Sequence, residues 1–123
     1  MEILGVFTLF ALKHLIADYY TQYSWMIKDK STYGAFGGIA HATWHGILTL
    51  LVLWLIGTPV LFSILLSALD GLIHYHIDYV KSNIWKKKRL THNDQLYWVV
   101  HGTDQFLHLM TYVFIIFLLG ISI

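Results

Sequence analysis

Long apolar runs alternate along this chain with polar side chains that recur at helical intervals. Four such runs are legible: about Ile3 to Gln22, Gly37 to Gly57, Val60 to Val80, and His92 or Gln95 to Ile121. His14 and Asp18 lie in the first, His41 and His45 in the second, Asp70, His74 and Asp78 in the third, and His101, Asp104 and His108 in the fourth. Gaps of three or four residues set each group on one helical face. Each run is near the ~20 residues that cross a hydrocarbon core of ~30 Å. Ile47 to Ile56 and Val113 to Leu119 are apolar on all faces, which a helix bathed in water avoids. The pattern predicts an all-α fold, a four-transmembrane-helix bundle, with residues 1–123 as a single integral membrane domain. The alternative is a soluble four-helix bundle with a greasy surface.

The run ends carry boundary chemistry. Thr58-Pro59 reads as an N-cap followed by proline at the first helical position. Thr91-His92-Asn93-Asp94 fits a capping box ahead of the fourth run. Met1 is followed by Glu2 and no small-residue cleavage site appears, so the first run is expected to be a helix rather than a cleavable signal.

Composition narrows the chemistry. Hydrophobic residues make up 57% of the chain and charged residues 12%. The absence of cysteine excludes disulfides, thiolate metal sites and a cysteine nucleophile. A net charge of +1 gives no nucleic-acid signal, and no specific nucleic-acid partner is predicted. Lys28 and Lys30 lie between the first two runs, and Lys81, Lys86, Lys87, Lys88 and Arg89 follow the third. With four crossings these two connections share a side. The positive-inside rule makes that side cytoplasmic and both termini non-cytoplasmic. This topology also accounts for Lys86 to Arg89 better than a lipid or nucleic-acid patch does. The predicted location is the bacterial inner membrane, as a multi-pass protein.

Depth is the more informative inference. On that topology every polar set falls in the cytoplasmic half, while the outer half holds little beyond Thr8, Thr49, Ser63, Ser67 and Thr111. Isolated carboxylates at such depth each cost ~2.5–3.5 kcal/mol on insertion scales, so intramembrane Asp and His mark a site. Imidazole and carboxylate suit zinc, manganese or iron. The predicted ligands are His14, His41, His45, His74, Asp78, His101 and His108, with Asp18, Asp70 and Asp104 as catalytic carboxylates. The cofactor is a divalent transition metal, zinc first. Ten groups exceed one coordination shell, so either two metals sit close together or one metal has carboxylates orienting its histidines.

Blander roles compete. An intramembrane histidine can simply bond two helices together. Lys13 either neutralises one aspartate or snorkels to the interface. His101 can line the access route, His76 points away from His74, and His92 belongs to the cap. Gln22, Lys28 and Lys81 could orient an anionic head group or serve as interfacial anchors. Trp25, Trp85, Tyr97 and Trp98 fit an aromatic belt. Gly34, Gly37, Gly38, Gly46 and Gly71 read as turn and close-approach residues, since no phosphate-loop pattern exists.

The stretch His14-Leu-Ile-Ala-Asp18-Tyr-Tyr-Thr-Gln22 with Trp25-Met26 and Lys28 resembles the bacterial and phage membrane family called domain of unknown function 3307. His41 with His45, His74-x3-Asp78-x2-Lys81 and Asp104-Gln105-x2-His108 extend the resemblance over nearly the whole chain. It implies a small integral membrane protein and names no reaction. A looser similarity to small membrane-associated metal-dependent hydrolases shares only the His/Asp chemistry.

The leading functional expectation is a metal-dependent membrane hydrolase acting on an amphiphilic phosphoester or ester near the cytoplasmic leaflet. Its partners would be membrane lipid, the amphiphilic substrate and, for some readings, a second copy in a homo-oligomer. An ion or proton transporter is the second expectation, although a pathway needs access from both sides. A non-haem redox enzyme or haem-binding electron carrier is the third, with the nearby carboxylates favouring a non-haem site. A structural or phage interaction module remains open.

Overall fold

The computed structural model describes residues 2–120. Among them the chain is all α-helical: α1 (Ile3–Leu15) runs directly into a π-helical turn (Ile16–Tyr20), followed by short α2 (Ser24–Asp29), α3 (Phe36–Leu55), α4 (Val60–Lys88) and α5 (Gln95–Leu118). Among the described residues, three stretches are long and apolar enough to cross a membrane: Ile3–Tyr20, Phe36–Leu55 and Val60–Lys88. At 24 residues α5 has the length, but His101, Thr103, Asp104, Gln105 and His108 dilute its first half, and it stands outside that set. The expected end of the fourth run at Ile121 lies outside the described residues, as do Met1 and Ile123.

Several boundaries differ from the sequence expectation. The third helix does not stop at Val80; α4 runs 29 residues to Lys88, roughly 43 Å at 1.5 Å per residue. Lys81 is therefore helical and one turn beyond Asp78, and Arg89 ends the helix in the left-handed conformation with φ 50°. Pro59 takes the N-cap position of α4, one residue outside the helix, and Thr58 caps nothing with its side chain. Asp94 accepts from the Thr91 backbone N–H at 2.7 Å, but α5 begins only at Gln95, so the expected box survives as a pre-helical turn.

The long helices form a closed set of neighbours. α1 packs on α3 and α5, and α4 packs on the same two, leaving α1 and α4 diagonal across the interior. The α3–α4 contact is tight because Gly46 and Gly71 face each other's helix. A Cβ at Gly46 would stand 3.1 Å from the Ser67 carbonyl oxygen, and one at Gly71 would stand 3.1 Å from that of Ala42. Small residues permit this backbone approach.

One end of this arrangement is filled by Val6, Phe10, Val52, Leu53, Leu66, Tyr112, Ile115 and Ile116. The Phe10 and Tyr112 rings stack there with centroids 5.3 Å apart. The other end is held differently: its interior is charged.

Candidate metal centre and its cavity

Asp18 sits inside the π turn that closes the first helix. The Thr21 backbone N–H reaches back five residues to the Ile16 carbonyl, the signature of this wider turn, and the Thr21 hydroxyl bonds the same oxygen. Trp44 on α3 then donates its indole N–H to that hydroxyl at 2.8 Å. Such π-helical insertions recur at functional sites because they re-aim a side chain. Here Asp18 enters the interior facing α3 and α4.

His41 and His45 lie one turn apart on α3, both fully buried. His74 and Asp78 have the same relation on α4, and Asp104 and His108 on α5. The i, i+4 spacing brings each pair to the same interior face. Asp18 Oδ1 stands 3.0 Å from His45 Nε2, 3.1 Å from His41 Nε2 and 3.9 Å from His74 Nε2. Asp18, His41, His45 and His74 each offer a ligand atom within 4.8 Å of all the others, and so do His74, Asp78 and His108. His74 belongs to both groups. Its ring stacks on His45 at 3.5 Å and on His108 at 4.0 Å between centroids.

The remaining charges are arranged around these two groups. Lys13 crosses the interior diagonally from α1 to Asp70 on α4, at 2.6 Å, where Thr49 donates to the same oxygen at 2.5 Å. Lys30 meets Asp78 at 2.6 Å and also bonds Gln22. Lys81 lies 3.0 Å from Asp78 and 2.8 Å from Asp104. Among the described residues, three buried lysines thus face four buried aspartates, and every ion pair of Asp18 is to an imidazole. With neutral histidines the interior carries one uncompensated negative charge, located at Asp18. A cation is the natural complement.

The hydrogen bonds assign roles to the rings, on the usual inference from donors and acceptors. Lys13 donates to His45 Nδ1 at 3.3 Å, so His45 carries its hydrogen on Nε2 and donates to Asp18. Tyr112 donates to His14 Nδ1 at 2.8 Å, and His14 Nε2 then donates toward Gln105 Oε1 at 3.1 Å and Asp18 Oδ2 at 3.2 Å. His41 and His74 differ. Their Nε2 atoms confront each other at 3.1 Å, and neither Nδ1 has a partner. His108 Nε2 and Asp104 Oδ1 are also buried without one. The donor set fits a divalent metal at Asp18, His41 and His74. His45 would have to release its hydrogen bond to Asp18 before its Nε2 could join them.

A cavity of about 340 Å³ reaches Asp18 from the end where the connections lie, lined also by Gln22, Lys30, Lys81, Trp85, Tyr97, His101 and Gln105. Trp85 and Tyr97 stack at 4.1 Å, and His101 lies 6.1 Å from Trp85, leaving the Trp85 indole N–H and His101 Nδ1 without partners.

Of the ten expected site residues, the structure brings nine into one connected interior network. His101 instead joins the aromatic wall of the cavity, half-buried and outside both ligand groups. Asp70 belongs to the network only through Lys13 and Thr49. At the rim, Gln22 and Lys81 line the cavity but Lys28 is exposed elsewhere, and Lys30 takes the place expected for it. His76 is exposed, 3.1 Å from the Tyr33 hydroxyl, and His92 is exposed as well. Lys13 does not snorkel; it is buried. Its position beside His14 in an apolar run was the available signal. Lys30 gave no such signal, because its burial depends on α2 folding back against α3.

A family profile described as Protein of unknown function (DUF3307) matches residues 6–123. No curated protein and no solved structure matches the chain.

Proposed function

The chain belongs to the DUF3307 family, whose description names no reaction, and from the site itself we propose a metal-dependent membrane hydrolase that acts on an amphiphilic phosphoester or ester. The observation that carries this reading is the junction of two features: a buried Asp/His donor set and a cavity that opens onto it between two buried lysines. A divalent ion, zinc first and manganese or iron next, would supply Lewis-acid charge to a phosphoryl or carbonyl oxygen and acidify a water. Asp18, His41 and His74 would hold it, with Asp78 and His108 forming a neighbouring position through the shared His74. Where that neighbouring position holds no ion, Asp104, whose Oδ1 is free of hydrogen bonds, is placed to move a proton with His108 Nε2, 3.5 Å away. Lys30 and Lys81 would orient an anionic group. Asp70 acts at one remove: it fixes Lys13, which sets the hydrogen position on His45.

In this reading all four long helices cross the bilayer. The basic connections make the cavity end cytoplasmic, so both termini are outside and the site lies near the inner leaflet of a bacterial inner membrane. The transporter reading is weaker because the opposite end is filled by the eight-residue apolar cluster, and the buried polar groups there among the described residues are hydroxyls, those of Thr49, Ser63, Ser67 and Thr111, with no ionisable acid or base.

The test is elemental analysis of protein purified without a metal-binding tag, followed by assay against a panel of lipid phosphoesters. Stoichiometric metal that disappears in His74→Ala and Asp18→Asn is the expected result. Trace metal indifferent to both substitutions would refute the reading.

A further inference from the structure

The cavity at Asp18 is one of two hollows that meet at Lys81. The second is an apolar groove of about 360 Å³ between α4 and α5, lined by Ile77, Val80, Ile84, Val99, Val100 and Leu107, with Lys81 and Asp104 at its floor. The two hollows differ in character. The first gathers Lys30, Lys81, Gln22 and the unpartnered indole N–H of Trp85 around Asp18. The second presents aliphatic side chains, of which Val80, Val99 and Leu107 are about half exposed. Lys81 lines both, and only two of its three N–H bonds are taken by Asp78 and Asp104.

We infer that the α4–α5 groove seats an acyl chain of a lipid whose phosphate head group lies in the Asp18 cavity against Lys81 and Lys30. The inference rests on the hydrolase reading and names the substrate class for it: a glycerophospholipid with an exposed phosphate. An apolar groove opening on the outside of the helices needs an apolar occupant. Lys81 at its inner end already shares its charge with Asp78 and Asp104, so what it and the unpartnered Trp85 indole N–H present is a pair of free donors, and a phosphate, with several acceptor oxygens, meets both. A lipid phosphate satisfies both ends. Free phosphate leaves the groove bare, and a neutral diglyceride offers Lys81 only a hydroxyl or ester oxygen, a weaker acceptor than a phosphate oxygen. The stacked Trp85 and Tyr97 form one wall where head group and chain join.

The experiment uses the full chain in detergent as purified, with the phosphatidic acid supplied as its non-hydrolysable ether-phosphonate analogue so that binding is read without turnover. Native mass spectrometry would compare dioleoyl phosphatidic acid, dioleoylglycerol and inorganic phosphate. Phosphatidic acid should be retained about tenfold more tightly than dioleoylglycerol, the size of one charged hydrogen bond. Inorganic phosphate should bind more weakly still. Val99→Trp and Thr103→Trp fill the groove from exposed positions on α5. Each should cut phosphatidic acid retention about tenfold while inorganic phosphate binding and metal content stay unchanged. Equal retention of phosphatidic acid and dioleoylglycerol by the unsubstituted protein would overturn the inference without any variant. So would inorganic phosphate binding as tightly as the lipid, or a change in oligomer mass in the tryptophan variants, which would assign the groove to a second copy. Lipid selectivity in a protein that holds no metal would refute the hydrolase reading alone; bound metal without lipid selectivity would refute this inference alone.

Discussion

At one end of the molecule Val6, Phe10, Val52, Leu53, Leu66, Tyr112, Ile115 and Ile116 fill the interior by packing alone. A turn or two away, the same helices bury four carboxylates, three ammonium groups and five imidazoles. The apolar end asks only for matching volume. The polar end requires each charge to meet a partner, since one left alone in a low-dielectric interior is strongly destabilising. Hydrophobic side chains of similar size would often hold the helices as well as a buried ion network does. Stability therefore gives little reason for building the polar end this way, which is the ground for reading it as a site. The Lys13–Asp70 pair, spanning α1 and α4 across the diagonal, shows how far the fold goes to accommodate it.

The largest expected effect separates the two ends directly. Lys13→Met leaves Asp70 buried with only the Thr49 hydroxyl as a donor, and should lower unfolding stability in detergent by about 3–5 kcal/mol. Adding Asp70→Leu should recover most of that loss. Phe10→Ala at the other end should cost roughly 2 kcal/mol, chiefly the cavity term, because lipid is as apolar as the core. No charge substitution at the polar end should restore it. Equal losses for Lys13→Met and Phe10→Ala, or no rescue by the double substitution, would break the contrast.

Metal removal probes the polar end alone. If the free metal stands near one hundred times its dissociation constant, a chelator should remove about 2.7 kcal/mol of apparent stability. The thermal midpoint of the unsubstituted protein should fall on chelation, and that of Phe10→Ala should fall by a similar amount. His74→Ala should be indifferent to the chelator, because His74 belongs to both ligand groups. A chelator response surviving in His74→Ala would place the metal elsewhere.

Tyr112 stands on the border between the two ends. Its ring belongs to the apolar cluster, and its hydroxyl bonds His14 Nδ1. Tyr112→Phe keeps the packing and the approach of Lys13 to the ring face at 4.5 Å, and removes only that donor. A loss of about 1–2 kcal/mol is expected, from a buried acceptor left unsatisfied. Nitrogen NMR of His14 should show its Nδ1 signal shift while the Phe10 ring signals stay in place.

The sequence made the polar end legible for a specific reason. Carboxylates and imidazoles are rare in apolar runs and repeat at helical intervals, so His41 with His45 and His74 with Asp78 could be placed on one interior face without coordinates. That they share one end of the helices followed from the order of the runs. What it concealed depends on tertiary contact. Lys30 reads as an ordinary loop lysine until α2 folds against α3, and Lys81 reads as a rim residue until α4 proves to continue to Lys88. The π turn at Asp18 has no local signature, because it is stabilised by Trp44 from another helix. His101 shows the converse: it has the spacing of the site residues, three before Asp104, yet joins Trp85 and Tyr97.

The smallest expected effect lies outside the helices, at the turn before α5. Asp94 is exposed, and its carboxylate accepts from the Thr91 backbone N–H at 2.7 Å and from the Thr91 hydroxyl at 3.0 Å. These bonds favour the charged form and hold its pKa below the ordinary 3.8, the backbone donor contributing most. A carboxyl whose pKa is lowered by folding stabilises the fold above its unfolded value and loses that contribution as pH falls through its folded value. Amide exchange at Thr91 should therefore accelerate as pH drops below about 4, after correction for intrinsic exchange. Asp94→Asn should flatten this dependence. The turn should persist, since Trp98 also anchors it through the His92 carbonyl at 2.8 Å. Neither acidification in that window nor Asp94→Asn should alter phosphatidic acid retention by way of this turn, because the Asp94 carboxylate bonds only Thr91, and its one link to the cavity wall, the backbone carbonyl that accepts from the Tyr97 N–H at 3.1 Å, is unchanged by the substitution. An Asp94→Asn protein that lost lipid or metal at neutral pH would show that the turn before α5 sets the position of Asp104 and His108. The polar end would then extend beyond the helices that build it.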